Sequence, residues 1–237
     1  MDKKGYILYA ANNKIIKKAT FTGEIQDFMK ALICDKSNLE ACISLNSNLI
    51  RYFIRHGAGH SMRTKSMVKL LADEMLNRKL YSEIFSHENN NIIANAALLH
   101  DLGKLHISHS ILSKPGKLTS EEYEIIKTHT TIGRDIIMSC IDVSECNNKQ
   151  LQFVLEVVYS HHERWDGSGY PQGLKGEEIP ISARLMAVAD AYDAITSKRI
   201  YKEAYSHEKA IEIILKGSGI YFDPQVVDIL CHLYNNK

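Results

Sequence analysis

Four prolines and one tryptophan in 237 residues, and no apolar run approaching the length of a membrane span, leave little to interrupt or anchor the chain. Five cysteines (Cys34, Cys42, Cys140, Cys146 and Cys231) form an odd, scattered set without a CxxC pair. That pattern indicates neither a disulfide framework nor a thiolate zinc site, and it fits a reducing compartment. The formal net charge of +1 gives no basic excess of the kind that advertises duplex DNA, although a local cluster can still hold a small phosphorylated ligand. The apolar stretch from Tyr6 to Ala11 is cut off by Asn12-Asn13, too short for a signal peptide, so a cytoplasmic protein is expected. With 45% hydrophobic and 24% charged residues, and no repeat or low-complexity segment, the composition is that of an ordinary globular domain and excludes disorder.

What the chain has in abundance is helical periodicity. Helices are expected near residues 24–34, 38–56, 60–80, 91–102, 120–138, 148–162, 182–197, 206–216 and 224–236. Thr119 and Glu122 have capping-box spacing, Gly103 suits a helix C-terminus, and Asp223 precedes Pro224 as a cap precedes a first-turn proline. Residues 5–21 read as two short apolar runs around Asn12-Asn13, which allows a small β-hairpin. Residues 163–181 differ again: Gly167, Gly169, Gly173 and Gly176 with Pro171 and Pro180 mark an ordered loop of irregular backbone.

On a helix the same face recurs every three or four residues. His60 therefore shares a face with Thr64, Met67 and Leu71; His129 with Ile126, Gly133 and Ile136; His161 with Val154 and Val158; and Asp190 with Met186. His100-Asp101 closes the apolar stretch from Ile92 to Leu102. Taken singly, a buried histidine is more often a hydrogen-bonded core residue than a ligand. Five imidazoles and two carboxylates aimed into one helical core are another matter, because their desolvation demands compensation that divalent cations supply.

The order of motifs is specific. His60 is followed by His100-Asp101-Leu102-Gly103-Lys104, by the run Ile111 to Thr119, and by His129. Then come His161-His162-Glu163-Arg164-Trp165-Asp166-Gly167-Ser168-Gly169-Tyr170-Pro171 and Ala187-Val188-Ala189-Asp190-Ala191-Tyr192-Asp193-Ala194. From about residue 50 to the C-terminus the chain resembles the HD-GYP family. The resemblance implies an all-α HD-domain helical bundle over residues 51–237, preceded by a short N-terminal segment, residues 1–50.

The resemblance also implies roles. One metal would be held by His60, His100, Asp101 and Asp190, and a second by Asp101, His129, His161 and His162, with Asp101 bridging. Lys104 would reach the scissile phosphate, supported by Asp193, while Tyr170, Arg199 and Lys202 would bind the substrate. Tyr170 equally suits a loop anchor. Two divalent ions, iron or manganese with zinc, nickel or cobalt as substitutes, would assist hydrolysis of cyclic di-GMP to linear pGpG, with further cleavage to GMP left open. Two alternatives stand beside this: another cyclic dinucleotide such as cyclic GMP-AMP as substrate, and a non-catalytic module that senses the dinucleotide or docks a GGDEF-domain protein, the latter through the Gly-Tyr-Pro loop. The chain departs from the family at His56, where some members hold a third metal with a glutamate. Gly57 and Gly59 there weaken a helix by about 1 kcal/mol each, leaving the direction of His56 open. It departs also at His106 to His109, read as a solvated turn, and at Arg199-Ile200-Tyr201 in place of arginine-proline-tyrosine.

Overall fold

A computed structural model describes residues 8–9, 15–16, 58–140, 148–197 and 204–235. The helices expected near 24–34 and 38–56, together with His56, Arg199 and Lys202, lie outside the described residues. The chain divides into two compact units, Met1–Ala58 with Asp101–Leu151, and Gly59–His100 with Gln152–Lys237.

In the first unit Leu8–Tyr9 (β1) pairs antiparallel with Ile15–Ile16 (β2), Leu8 opposite Ile16 and Tyr9 opposite Ile15. Its other described secondary-structure elements are helices. A 3-10 helix, Leu102–His106, packs against the α-helix His129–Cys140. Between them lie His109–Leu112 and Ser120–Lys127, the latter opened by the expected capping box of Thr119 and Glu122. The single helix expected over 120–138 is thus two, broken at Thr128. There the Thr128 hydroxyl donates to Ile125 O at 2.6 Å and the Thr130 hydroxyl to Lys127 O at 3.1 Å. Such back-bonding competes with the regular ladder and bends a helix. We number the α-helices in chain order: α1 Ala58–Asn77, α2 His87–Ala96, α3 His109–Leu112, α4 Ser120–Lys127, α5 His129–Cys140, α6 Asn148–Ser160, α7 Ile181–Thr196, α8 His207–Lys216 and α9 Pro224–Asn235.

The second unit holds α1, α2, most of α6, and α7 to α9. Its core is built from helix stripes: Val68, Leu71, Ala72 and Met75 on α1, and Val154, Val157 and Val158 on α6, all fully buried. These positions follow the three-and-four spacing that a buried helix face requires. His60 and Thr64 extend the first stripe and His161 extends the second, which is how apolar packing carries polar groups inward. The helix expected over 91–102 ends earlier. Ser86 caps it by accepting from Asn89 N, it runs to Ala96, and a 3-10 turn over Ala97–Leu99 delivers His100.

One buried ion pair ties α7 to the start of α9. Arg184 Nη1 donates to Asp223 Oδ2 at 2.8 Å, with side chains only 6% and 3% exposed, and Arg184 Nε donates to Ile179 O. Asp223 uses its other oxygen to accept from Gln225 N at 2.8 Å, the cap expected before Pro224. Removing one partner strands the other charge in the interior. Arg184→Met is therefore expected to destabilise the protein by about 3–5 kcal/mol, read as a lowered urea midpoint with an unchanged slope.

Candidate metal centre

Within the second unit, His60 from the first turns of α1, His100 from the end of the 3-10 turn and Asp190 from α7 converge. Their ligand atoms all lie within 4.8 Å of one another. His60 Nε2 is 3.2 Å from His100 Nε2 and 3.5 Å from Asp190 Oδ1. The opposite edge of each ring decides what those nitrogens carry. His100 Nδ1 lies 2.7 Å from Ala97 O, and a carbonyl oxygen can only accept, so Nδ1 bears the proton. His60 Nδ1 lies 2.7 Å from Asp193 Oδ2. Burial pushes the Asp193 carboxyl up, but the hydrogen bonds from His60 and Arg63 outweigh it and hold the pKa at about 2. That carboxylate is ionised and also only accepts. With both rings neutral, their Nε2 lone pairs face each other at 3.2 Å beside a carboxylate oxygen, an arrangement that a cation among the three atoms, or a proton between the two nitrogens, relieves. Two imidazole nitrogens and a carboxylate oxygen suit a divalent transition metal.

His161 and His162 follow α6 in the same unit. His161 is buried and its Nδ1 lies 2.9 Å from Val157 O, so it too presents Nε2. Its ring meets that of His100 edge-on at 5.2 Å and that of His162 at 4.2 Å between centroids. Tyr170 packs on His162 at 4.8 Å, and its N–H donates to His162 O at 3.2 Å. The expected loop over 163–181 is ordered by a residue to which the sequence assigned no role. Glu163, 3% exposed, accepts from Gln172 N at 2.7 Å and from Leu174 N at 3.1 Å. Burial raises the Glu163 pKa more than these backbone donors lower it. Asp166 N and Trp165 N donate to Ile220 O and Tyr221 O, which pins the loop to the turn before α9.

In the first unit, Asp101 Oδ1 lies 3.5 Å from His129 Nε2, and His129 Nδ1 lies 2.7 Å from Ile126 O. Lys104 Nζ donates to the other Asp101 oxygen at 2.6 Å. Gly103, expected to end a helix, instead sits inside the 3-10 helix where it touches α5. An added Cβ would stand 1.9 Å from His129 O and 2.7 Å from Gly133 N. Asp193 accepts from His60 and Arg63, and Lys104 donates to Asp101. His109 is exposed as expected of a solvated turn, whereas His106 is half-buried, with a pKa lowered by burial.

The model of the HD domain matches residues 46–226. The chain belongs to the HD domain family. Its Gly169-Tyr170-Pro171 loop and the flanking motifs are those of the HD-GYP type, and this HD domain presents donor groups suited to divalent metal. A cyclic di-GMP phosphodiesterase of Vibrio cholerae serotype O1 is 38% identical over 92% of this chain and 44% of its own length. A 3′3′-cGAMP-specific phosphodiesterase of the same organism is 39% identical over 64% of this chain and 29% of its own. The chain thus spans less than half the length of these curated relatives. In fold, the HD domain resembles an HDG"Y"P protein of Bdellovibrio bacteriovorus, with a TM-score of 0.55 at 20% identity over 90% of this chain and 63% of that one.

Gly103 offers a direct check on the first-unit half of this arrangement. Gly103→Ala is expected to push α5 away, to destabilise the HD domain by about 1–3 kcal/mol, and to lower metal content by disturbing the Asp101–His129 approach. Denaturant titration and elemental analysis measure the two effects.

Proposed function

We propose that this HD domain is a metal-dependent phosphodiesterase that hydrolyses cyclic di-GMP to linear pGpG. The observation that carries the reading is the pair of Nδ1-anchored imidazoles, His60 and His100, whose Nε2 atoms face each other beside Asp190. In this reading His60, His100, Asp101 and Asp190 hold one ion, and Asp101, His129, His161 and His162 the other. Iron or manganese is favoured by the histidine and carboxylate set. Such ions, when bound, lower the pKa of coordinated water and neutralise charge on the phosphate.

The protein's own groups supply the rest. Lys104 adds positive charge where the transition state gains negative charge as the sugar oxygen leaves phosphorus. Tyr170 offers an aromatic face beside His162 for a base or for the loop itself. Arg199 and Lys202 follow α7 in sequence, and in this reading they hold the part of the dinucleotide that the metals do not. Residues 51–237 then form the catalytic domain and residues 1–50 a short N-terminal segment of a cytoplasmic protein, and the family match over 46–226 supports the first of these. Among the described residues no helix is long and apolar enough to cross a membrane.

A second reading has its own support, because one relative is a 3′3′-cGAMP-specific enzyme and a metal core sees the phosphate and not the base. Turnover of cyclic di-GMP, cyclic GMP-AMP and cyclic di-AMP by chelator-free protein separates the two. Cyclic di-GMP is expected to be cleaved fastest, and absence of turnover on all three would leave only the sensor role. Asp101→Ala is expected to abolish cleavage and lower the content of both ions. Lys104→Ala keeps its metals and loses rate, since an ammonium does not ligate a cation. In a further pair of variants, Arg199→Ala and Lys202→Ala are expected to raise the apparent substrate constant with metal content intact, and unchanged kinetics in both would remove them from the site.

A further inference from the structure

We propose that Arg63 is a positioning residue for the metal ligand His60, acting through Asp193. The inference rests on the reading of His60 as a ligand. Arg63 lies one turn after His60 on α1, and its guanidinium grips Asp193 as a fork: Nε donates to Oδ1 at 2.5 Å and Nη2 to Oδ2 at 3.2 Å. Oδ2 is the same oxygen that accepts from His60 Nδ1 at 2.7 Å. The fork therefore sets the plane of the carboxylate, and the carboxylate sets the plane and tautomer of the imidazole.

A solvent-exposed ion pair contributes little by itself, and Arg63 is 54% exposed. Asp193, at 6%, is not exposed, and without the guanidinium its carboxylate turns about its own bond and presents either oxygen, at a range of angles, to His60. Groups behind a metal ligand that fix ring orientation commonly change metal affinity about 10–100-fold when lost. The geometry around Arg63 is itself constrained. Nη2 also donates to Ser197 Oγ at 2.8 Å, at the end of α7. On the other side, a Cβ at Gly59 would stand 2.8 Å from Arg63 Nη1. Gly59 costs the first turn of α1 some helix propensity, and the space it leaves is where the guanidinium sits. Arg63, Asp193 and Ser197 thus link the ligand His60 on α1 to α7, which carries Asp190. Arginine is required for this because lysine offers the charge without the planar fork.

Titration of metal-free protein with Mn(II) by calorimetry, alongside thermal melting, tests the idea. Arg63→Ala is expected to weaken one Mn(II) site by about 10–100-fold and to leave the other within about twofold. Arg63→Lys is expected to resemble Arg63→Ala, because charge alone does not restore the fork. Gly59→Ala, which keeps the arginine and displaces it, is expected to weaken the same site. In histidine-labelled, metal-free protein, the His60 nitrogen resonances should show the Nδ1-protonated tautomer in the wild type and a mixture in Arg63→Ala. Unchanged Mn(II) affinity in Arg63→Lys and Gly59→Ala, or equal weakening of both sites with a lowered melting transition, overturns the proposal and marks an ordinary ion pair. Wild-type protein that takes up no Mn(II) instead overturns the two-metal reading, and this inference with it.

Discussion

The centre depends on where each imidazole spends its Nδ1 proton. His100, His129 and His161 give it to carbonyls of the turn just before them, and His60 gives it to Asp193. Each of these bonds does two things at once. It satisfies a buried donor that would otherwise cost about 1–3 kcal/mol, and it commits Nε2 to carry a lone pair. The helix geometry that buries these rings therefore also leaves Nε2 of each neutral ring as its acceptor. Three of the four acceptors are backbone atoms and are fixed by the helices themselves. The fourth, Asp193, is a side chain, and it is the one that needs a further group to hold it.

Close approach is the second constraint, and glycine meets it in each unit. Gly103 lets the 3-10 helix carrying Asp101 and Lys104 come down onto the backbone of His129, closer than any side chain permits. Gly59 clears room for Arg63. Both glycines weaken the local helix, and each leaves room for a close contact.

Much of this was legible in the residues. The stripe through His60, Thr64 and Leu71, the stripe through Val154, Val158 and His161, and the alignment of Asp190 with Met186 are consequences of 3.6 residues per turn, so an amphipathic reading finds them. The capping box at Thr119 and the cap at Asp223 are equally local. What periodicity does not convey is a change of helix type. The passage from α-helix to 3-10 helix between Ala96 and Leu99, and the break at Thr128, each move His100 and His129 off the register of one continuous helix. Nor does it reveal partners far apart in sequence. Arg63 and Asp193 are 130 positions apart, and Glu163 orders its loop by accepting backbone N–H groups that leave no mark on side-chain pattern. The motif that contains Glu163 is recognisable, but its role is visible only in the fold.

Lys104 shows how the two kinds of information combine. The family resemblance implies a phosphate contact for it, and the fold shows its ammonium 2.6 Å from Asp101. These are compatible, because an ammonium has three donors and the bond to Asp101 uses one. The pairing also directs the side chain: an otherwise flexible four-carbon stem is held beside the carboxylate that also approaches His129 at 3.5 Å. A lysine so held contributes positive charge at a fixed place before any phosphate arrives, and preorganised charge of this kind requires no reorganisation during the reaction. The same bond makes Asp101 the residue whose loss has the widest effect, since it removes a candidate ligand and releases the lysine together.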